Sequence, residues 1–120
     1  LSRPDYEEIA VSITDAFAQN LNTYGFGSSM LLQAIDFLQG PSFEVIVVGD
    51  KSKSQKLISE IQKHENFNKV IIYNDSNDKL FNFLDLYMPD HNGNPLVYIC
   101  KNYSCKLPTN DIKKIKDLLQ

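Results

Sequence analysis

The stretch Phe43-Glu44-Val45-Ile46-Val47-Val48-Gly49-Asp50 decides the fold. It is almost continuously apolar and rich in β-branched residues, as expected of a strand covered on both faces, and Gly49-Asp50 ends it. Working forward, Ser52 and Gln55 form a capping pair for a helix with Leu57, Ile58 and Ile61 inward. Val70-Ile71-Ile72-Tyr73 reads as a second strand and stops at Asn74-Asp75. A shorter helix carries Leu80, Phe83, Leu84 and Tyr87 on one stripe. The breaker-rich loop from Pro89 to Pro95 leads into a third strand, Leu96-Val97-Tyr98-Ile99-Cys100. The chain then turns, with room for a short antiparallel strand at Ser104 to Lys106, and Thr109 caps a last helix with Ile112, Ile115, Leu118 and Leu119 inward. Strands separated by helices predict an α/β fold: a small three-stranded, mainly parallel sheet with flanking helices.

Working backward from Pro41, the period changes. Tyr6, Ile9, Ile13, Phe17 and Leu21 recur at helical spacing, with Ser2 or Asp5 as the cap and Glu8 completing a capping box with Asp5. Gly25-Phe26-Gly27 breaks that period, and a second helix with Leu31, Ala34, Ile35 and Leu38 on one side ends at Gly40-Pro41. The expectation is one domain over residues 1–120, built from an antiparallel helical hairpin (1–40) and an α/β unit (41–120).

A chain of 120 residues with 42% hydrophobic and 22% charged residues can bury a core of its own. The formal net charge of −3 gives no positive field to gather phosphate backbones, so nucleic acid is not an expected partner. Lys101, Lys106, Lys113, Lys114 and Lys116 are interrupted by Asp111 and read as a solvated helix face. No apolar run approaches the ~20 residues needed to span a bilayer, and no signal-peptide pattern opens the chain, so no membrane is expected and the location reads as cytoplasmic. The first residue is Leu1, which points to a fragment of a longer chain.

Three places could carry chemistry. Gly49-Asp50-Lys51-Ser52-Lys53-Ser54 joins a strand to a helix but lacks the glycines of a phosphate-binding loop, and reads as a turn and a cap. With three parallel strands, Gly49, Asp50, Asn74 and Asn102 would share one edge of the sheet, where ligands of open α/β sheets bind. They form a candidate small-ligand site. Cys100 and Cys105 are close enough in sequence to meet across a turn. They read first as reduced packing thiols, because a cytoplasmic thiol pool disfavours an ordinary disulfide; a disulfide or a redox pair is the alternative. No metal site is expected, since His64 and His91 are both placed at the far end of the sheet from Cys100. No cofactor is implied, and no catalytic residue is identified beyond the candidate redox pair.

Glu44-Val45-Ile46-Val47-Val48-Gly49, and more specifically Tyr98-Ile99-Cys100-Lys101-Asn102-Tyr103-Ser104-Cys105-Lys106-Leu107-Pro108, resemble the carboxy-terminal end of the thioredoxin-domain-containing family related to spermatogenesis-associated protein 20. There the chain closes on Tyr-aliphatic-Cys-x-Asn-x-x-Cys-x-x-Pro followed by a helix, and this sequence fills each position. It departs from the family at Gly25-Phe26-Gly27, where proline is common. The resemblance spans nearly the whole chain and implies a three-part parent: a thioredoxin-like domain, an α/α toroid similar to N-acylglucosamine 2-epimerases and glycoside hydrolases, and this domain. Redox or carbohydrate chemistry would then belong to the upstream parts. This chain would be a non-catalytic accessory domain docked on the toroid, with residues 1–40 completing the toroid or bridging to it. The cysteine pair comes with the resemblance as a family trait to which it assigns no role.

Overall fold

The computed structural model describes residues 3–75 and 82–120. It divides into two compact units, one ending at Pro41 and the other running from Ser42 to Gln120. The division falls where the sequence pattern changes.

The first unit is helical. Helix α1 spans Pro4–Tyr24, a 3-10 turn follows at Gly25–Ser28, and α2 spans Ser29–Gln39. Pro4 opens α1, where its missing N–H costs nothing, and Arg3 stands at the cap position without a side-chain cap bond. The capping box expected from Asp5 and Glu8 is therefore not formed; Asp5 instead pairs with Arg3, at 2.7 Å. Ser2 lies outside the described residues. Tyr24 (φ −135°, ψ 48°) and Ser28 (φ −113°, ψ 27°) leave helical angles, so the helix is interrupted on either side of the glycine pair. Gly25 keeps right-handed helical angles (φ −52°, ψ −40°), and among the described residues α1 and α2 meet around the 3-10 turn rather than along their lengths. The two helices expected from the sequence are both present, joined by the 3-10 turn.

The second unit is α/β, with a four-stranded sheet in the order β2-β1-β3-β4. Its strands are β1 (Phe43–Val48), β2 (Lys69–Asn74), β3 (Leu96–Lys101) and β4 (Ser104–Cys105). Strands β1 and β2 are parallel, in register from Phe43↔Lys69 to Val48↔Asn74. Strand β3 is antiparallel to β1, from Glu44↔Cys100 to Val48↔Leu96, and β4 is antiparallel to β3. The sheet is mixed and four-stranded, which corrects the expected three-stranded, mainly parallel one. A parallel β3 would need a crossover the length of the sheet. Instead the segment after β2 carries a 3-10 turn at Asn82–Leu86 and enters β3 from the end where β2 finishes.

Alternate residues of β1 feed two cores, as the period of a strand requires. Phe43, Val45 and Val47 pack with Val97 and Ile99 beneath α3 (Lys51–Gln62) and α4 (Ile112–Leu118), which contribute Leu57, Ile61 and Ile115, with Leu119 just beyond α4. Ile46 and Val48 pack with Leu84 of the 3-10 turn on the other face, flanked by Ile72, Tyr87 and Tyr98. Leu80, expected on the same stripe as Leu84, lies outside the described residues. Asp50 caps α3 by accepting from the Ser52 and Lys53 N–H groups, and Asp111 caps α4 by accepting from Lys113 N–H. Thr109, the cap expected for α4, stands two residues earlier and pairs its backbone with Val97 in an isolated antiparallel bridge.

Candidate functional site

The antiparallel β3 separates the residues expected along one sheet edge. Gly49, Asp50 and Asn74 do meet: Gly49 N–H donates to the Asn74 carbonyl at 3.4 Å. Asn102 follows the other end of β3, beside Phe43 rather than Val48. The four-residue ligand edge is therefore not assembled. The three residues that remain together are occupied by the fold itself. A Cβ on Gly49 would lie 2.8 Å from the Cα of Pro95, so the proline closes over the strand end. Tyr73 Oη donates to the Gly49 carbonyl at 2.9 Å, and the Asn74 side-chain amide donates to the Leu84 carbonyl at 3.1 Å. The Ser52 and Lys53 N–H groups that open α3 are not free to donate to a ligand, because the Asp50 carboxylate already accepts from both. Those bonds, that of the Ser52 hydroxyl foremost, hold the Asp50 carboxyl below its usual range. A carboxylate seated there repels an anion.

The same reversal moves His64. It belongs to the sheet end that also holds Cys100, and only His91 stays at the far end as expected. His64 Nδ1 accepts from Asn66 N–H at 3.2 Å. Among the described residues, no group of three or more His, Cys, Asp and Glu is placed to hold a metal ion.

The cysteines are the site the structure does build. Between β3 and β4 only Asn102 and Tyr103 remain to make the turn, and both have positive φ, 51° and 61°. Two such residues form the type I′ turn whose twist matches that of a β-hairpin. Lys106 N–H donates to the Ile99 carbonyl at 2.9 Å, making Ile99 and Lys106 a hydrogen-bonded pair. The next pair toward the turn, Cys100↔Cys105, is then of the non-hydrogen-bonded kind, in which facing side chains come closest. The two Sγ atoms are bonded at 1.98 Å. The reduced thiols expected from the sequence are replaced by a disulfide, because the turn puts the two sulfurs directly opposite each other.

Its surroundings are asymmetric. Cys100 is buried, only 2% exposed, on the sheet face of Ile46 and Val48, whereas Cys105 is exposed on the short edge strand. Tyr87 brings its hydroxyl to 3.8 Å from Cys105 Sγ. That ring stands edge-on to Tyr98, with centroids 5.0 Å apart, and Tyr98 is held by exchanging hydrogen bonds with the Met88 backbone. Burial first, then the charge of Glu44, push the Tyr87 phenol above its usual value, so it keeps its proton and can donate. On the opposite sheet face a cavity of about 190 Å³ is lined by Phe43, Ile99, Lys101, Asn102, Ser104, Lys106 and Leu118. Lys101 fills part of its rim by lying over the Phe43 ring, 5.1 Å from the centroid.

The sequence signalled the cysteine pair but not Tyr87, whose place depends on how the segment after β2 folds back. Tyr98 and Cys100, two apart on one strand, share a face, and that spacing is the signal by which Tyr98 could have been found. No family model, curated protein or solved structure matches this chain.

Proposed function

We propose that this chain is a carboxy-terminal accessory domain of a larger cytoplasmic protein, docked through its amino-terminal helical unit onto an α/α toroid upstream in the same chain. One observation carries the reading. Neither α1 nor α2 contains a buried residue, although α1 has a regular apolar stripe. Tyr6, Ile9, Ile13 and Phe17 are between 47% and 61% exposed, and Phe26 and Met30 after them are more so. A helix of this pattern owes its stability to a partner for its apolar face, since propensity alone leaves isolated helices marginal in water. The resemblance of residues 98–108 to the family with a thioredoxin-like domain and a toroid supplies the partner, and assigns redox or carbohydrate chemistry to those upstream domains. Among the described residues no helix is long and apolar enough to cross a membrane.

Hydrogen exchange tests the reading. In the full-length protein the amides of residues 6–17 should be protected at least tenfold more than in the 120-residue chain, while β1 to β3 exchange alike in both. Equal exchange of residues 6–17 in the two proteins would sink the docking role.

A further inference from the structure

We propose that Cys100 and Cys105 form a thiol–disulfide exchange site, entered through Cys105, whose substrate is a dithiol. This goes beyond the docking role and rests on different residues.

Access decides which sulfur reacts. Exchange requires a thiolate to approach one sulfur of the bond, and Cys100 is 2% exposed whereas Cys105 lies on the exposed edge strand. The incoming thiolate therefore bonds to Cys105 Sγ. The Cys100–Cys105 bond breaks, and its electron pair leaves on Cys100. That sulfur sits opposite Glu44 on the buried face, a poor place for a second negative charge, so it takes up a proton and remains as a thiol. The second thiolate of the same dithiol then attacks its own sulfur in the mixed disulfide. Cys105 is released as a thiolate beside the Tyr87 hydroxyl, 3.8 Å away, which donates to it. The dithiol has become a cyclic disulfide and its two electrons have passed to the cysteine pair; of its two protons one is on Cys100 and the other has gone to solvent, with Cys105 left as a thiolate.

The hairpin is built to survive that reaction. A disulfide stabilises more the longer the span of chain it closes, and here that span is short, a two-residue turn having already brought the cysteines together. The Lys106–Ile99 hydrogen bond and the Val97–Thr109 bridge hold the same strand in place with the bond broken. A bond that adds little to the fold and exposes one sulfur is free to cycle.

The 120-residue chain serves for the test, with dithiothreitol and glutathione disulfide as probes and far-ultraviolet circular dichroism as a control of folding. In native buffer, dithiothreitol should reduce the pair at a rate linear in its concentration, with the dichroism unchanged. Cys100→Ser should take up one glutathione on Cys105, whereas Cys105→Ser should react only after urea is added. Tyr87→Phe in the Cys100→Ser background should slow alkylation of Cys105 by up to about tenfold, the effect of one pKa unit on the thiolate fraction. Reduction that needs denaturant, or equal native reactivity of the two single variants, would overturn the proposal. Should Cys100→Ser fail to fold, the wild type decides: peptide mapping of the trapped mixed disulfide must place the incoming thiol on Cys105. Finding it on Cys100 would overturn the proposal as well. None of these readouts involves residues 6–17, so the exchange site and the docking face stand or fall separately.

Discussion

Gly49 is the residue on which the crowded end of the sheet depends. Its φ of 136° is one that side chains rarely adopt, and Pro95 sits where a Cβ would go. Gly49→Ala therefore meets backbone strain and an overlap with a buried proline together, and should cost about 2–4 kcal/mol, read from the shift of the urea midpoint at unchanged slope. An unshifted midpoint would show that the Pro95 loop moves aside, and would reopen this strand end as a place for a ligand. The glycine itself was legible as a strand stop. Its second role was not, because the proline that covers it arrives 46 residues later by a connection whose path the sequence leaves open. The cysteines show the same division. Their spacing announced a turn, but the register that bonds them follows from Asn102 and Tyr103 both taking positive φ, which neither residue type demands.

Among the elements, the three long strands lay where apolar, β-branched runs predicted them, and the short antiparallel β4 also appeared where there was room for it. The direction of β3 did not follow, since a strand's composition is the same read from either end. Direction was set by the connection from β2, whose only described helical element is one five-residue 3-10 turn anchored by Leu84. That reversal took Asn102 away from Asn74 and brought Tyr87 toward Cys105. A second tie between elements was equally hidden. Glu60 of α3 accepts from Lys116 of α4 at 2.9 Å and from Lys63 at 3.3 Å, and these bonds, Lys116 first, hold its carboxyl below the usual range. The folded value lies below the unfolded one, so this contribution is fully present above the unfolded value of about 4.5 and is lost as pH falls through the folded value. Glu60→Gln should flatten that part of the acid limb and leave other carboxylates to set the rest. Urea midpoints measured from pH 7 down to pH 3, at low salt because the pair is partly exposed, check it; superimposable profiles would show that the tie contributes nothing.

At the scale of the whole chain, two units with different sources of stability are joined at Pro41. The α/β unit buries residues on both faces of β1, beneath two helices on one side and the 3-10 turn on the other, so its core is complete within residues 42–120. The helical unit has an apolar stripe and no buried residue in either helix. A chain cut at this junction should therefore behave unequally. Residues 42–120 alone should unfold in one cooperative urea transition, with a midpoint within about 1 kcal/mol of the α/β transition of the full chain. They should also keep the exchange chemistry at Cys105, because each group it uses lies after Pro41. Residues 1–41 alone should show by circular dichroism far less helix than the 21 and 11 residues of α1 and α2 would give, since nucleation is costly and no core repays it. Helix in that peptide should rise when the upstream toroid is added and should not rise with Ile9→Asp and Phe17→Asp. A fragment 1–41 fully helical by itself would locate the stability of α1 in its own sequence and remove the need for a partner, whereas a fragment 42–120 that fails to fold would mean that the helical unit completes the α/β core rather than an upstream one.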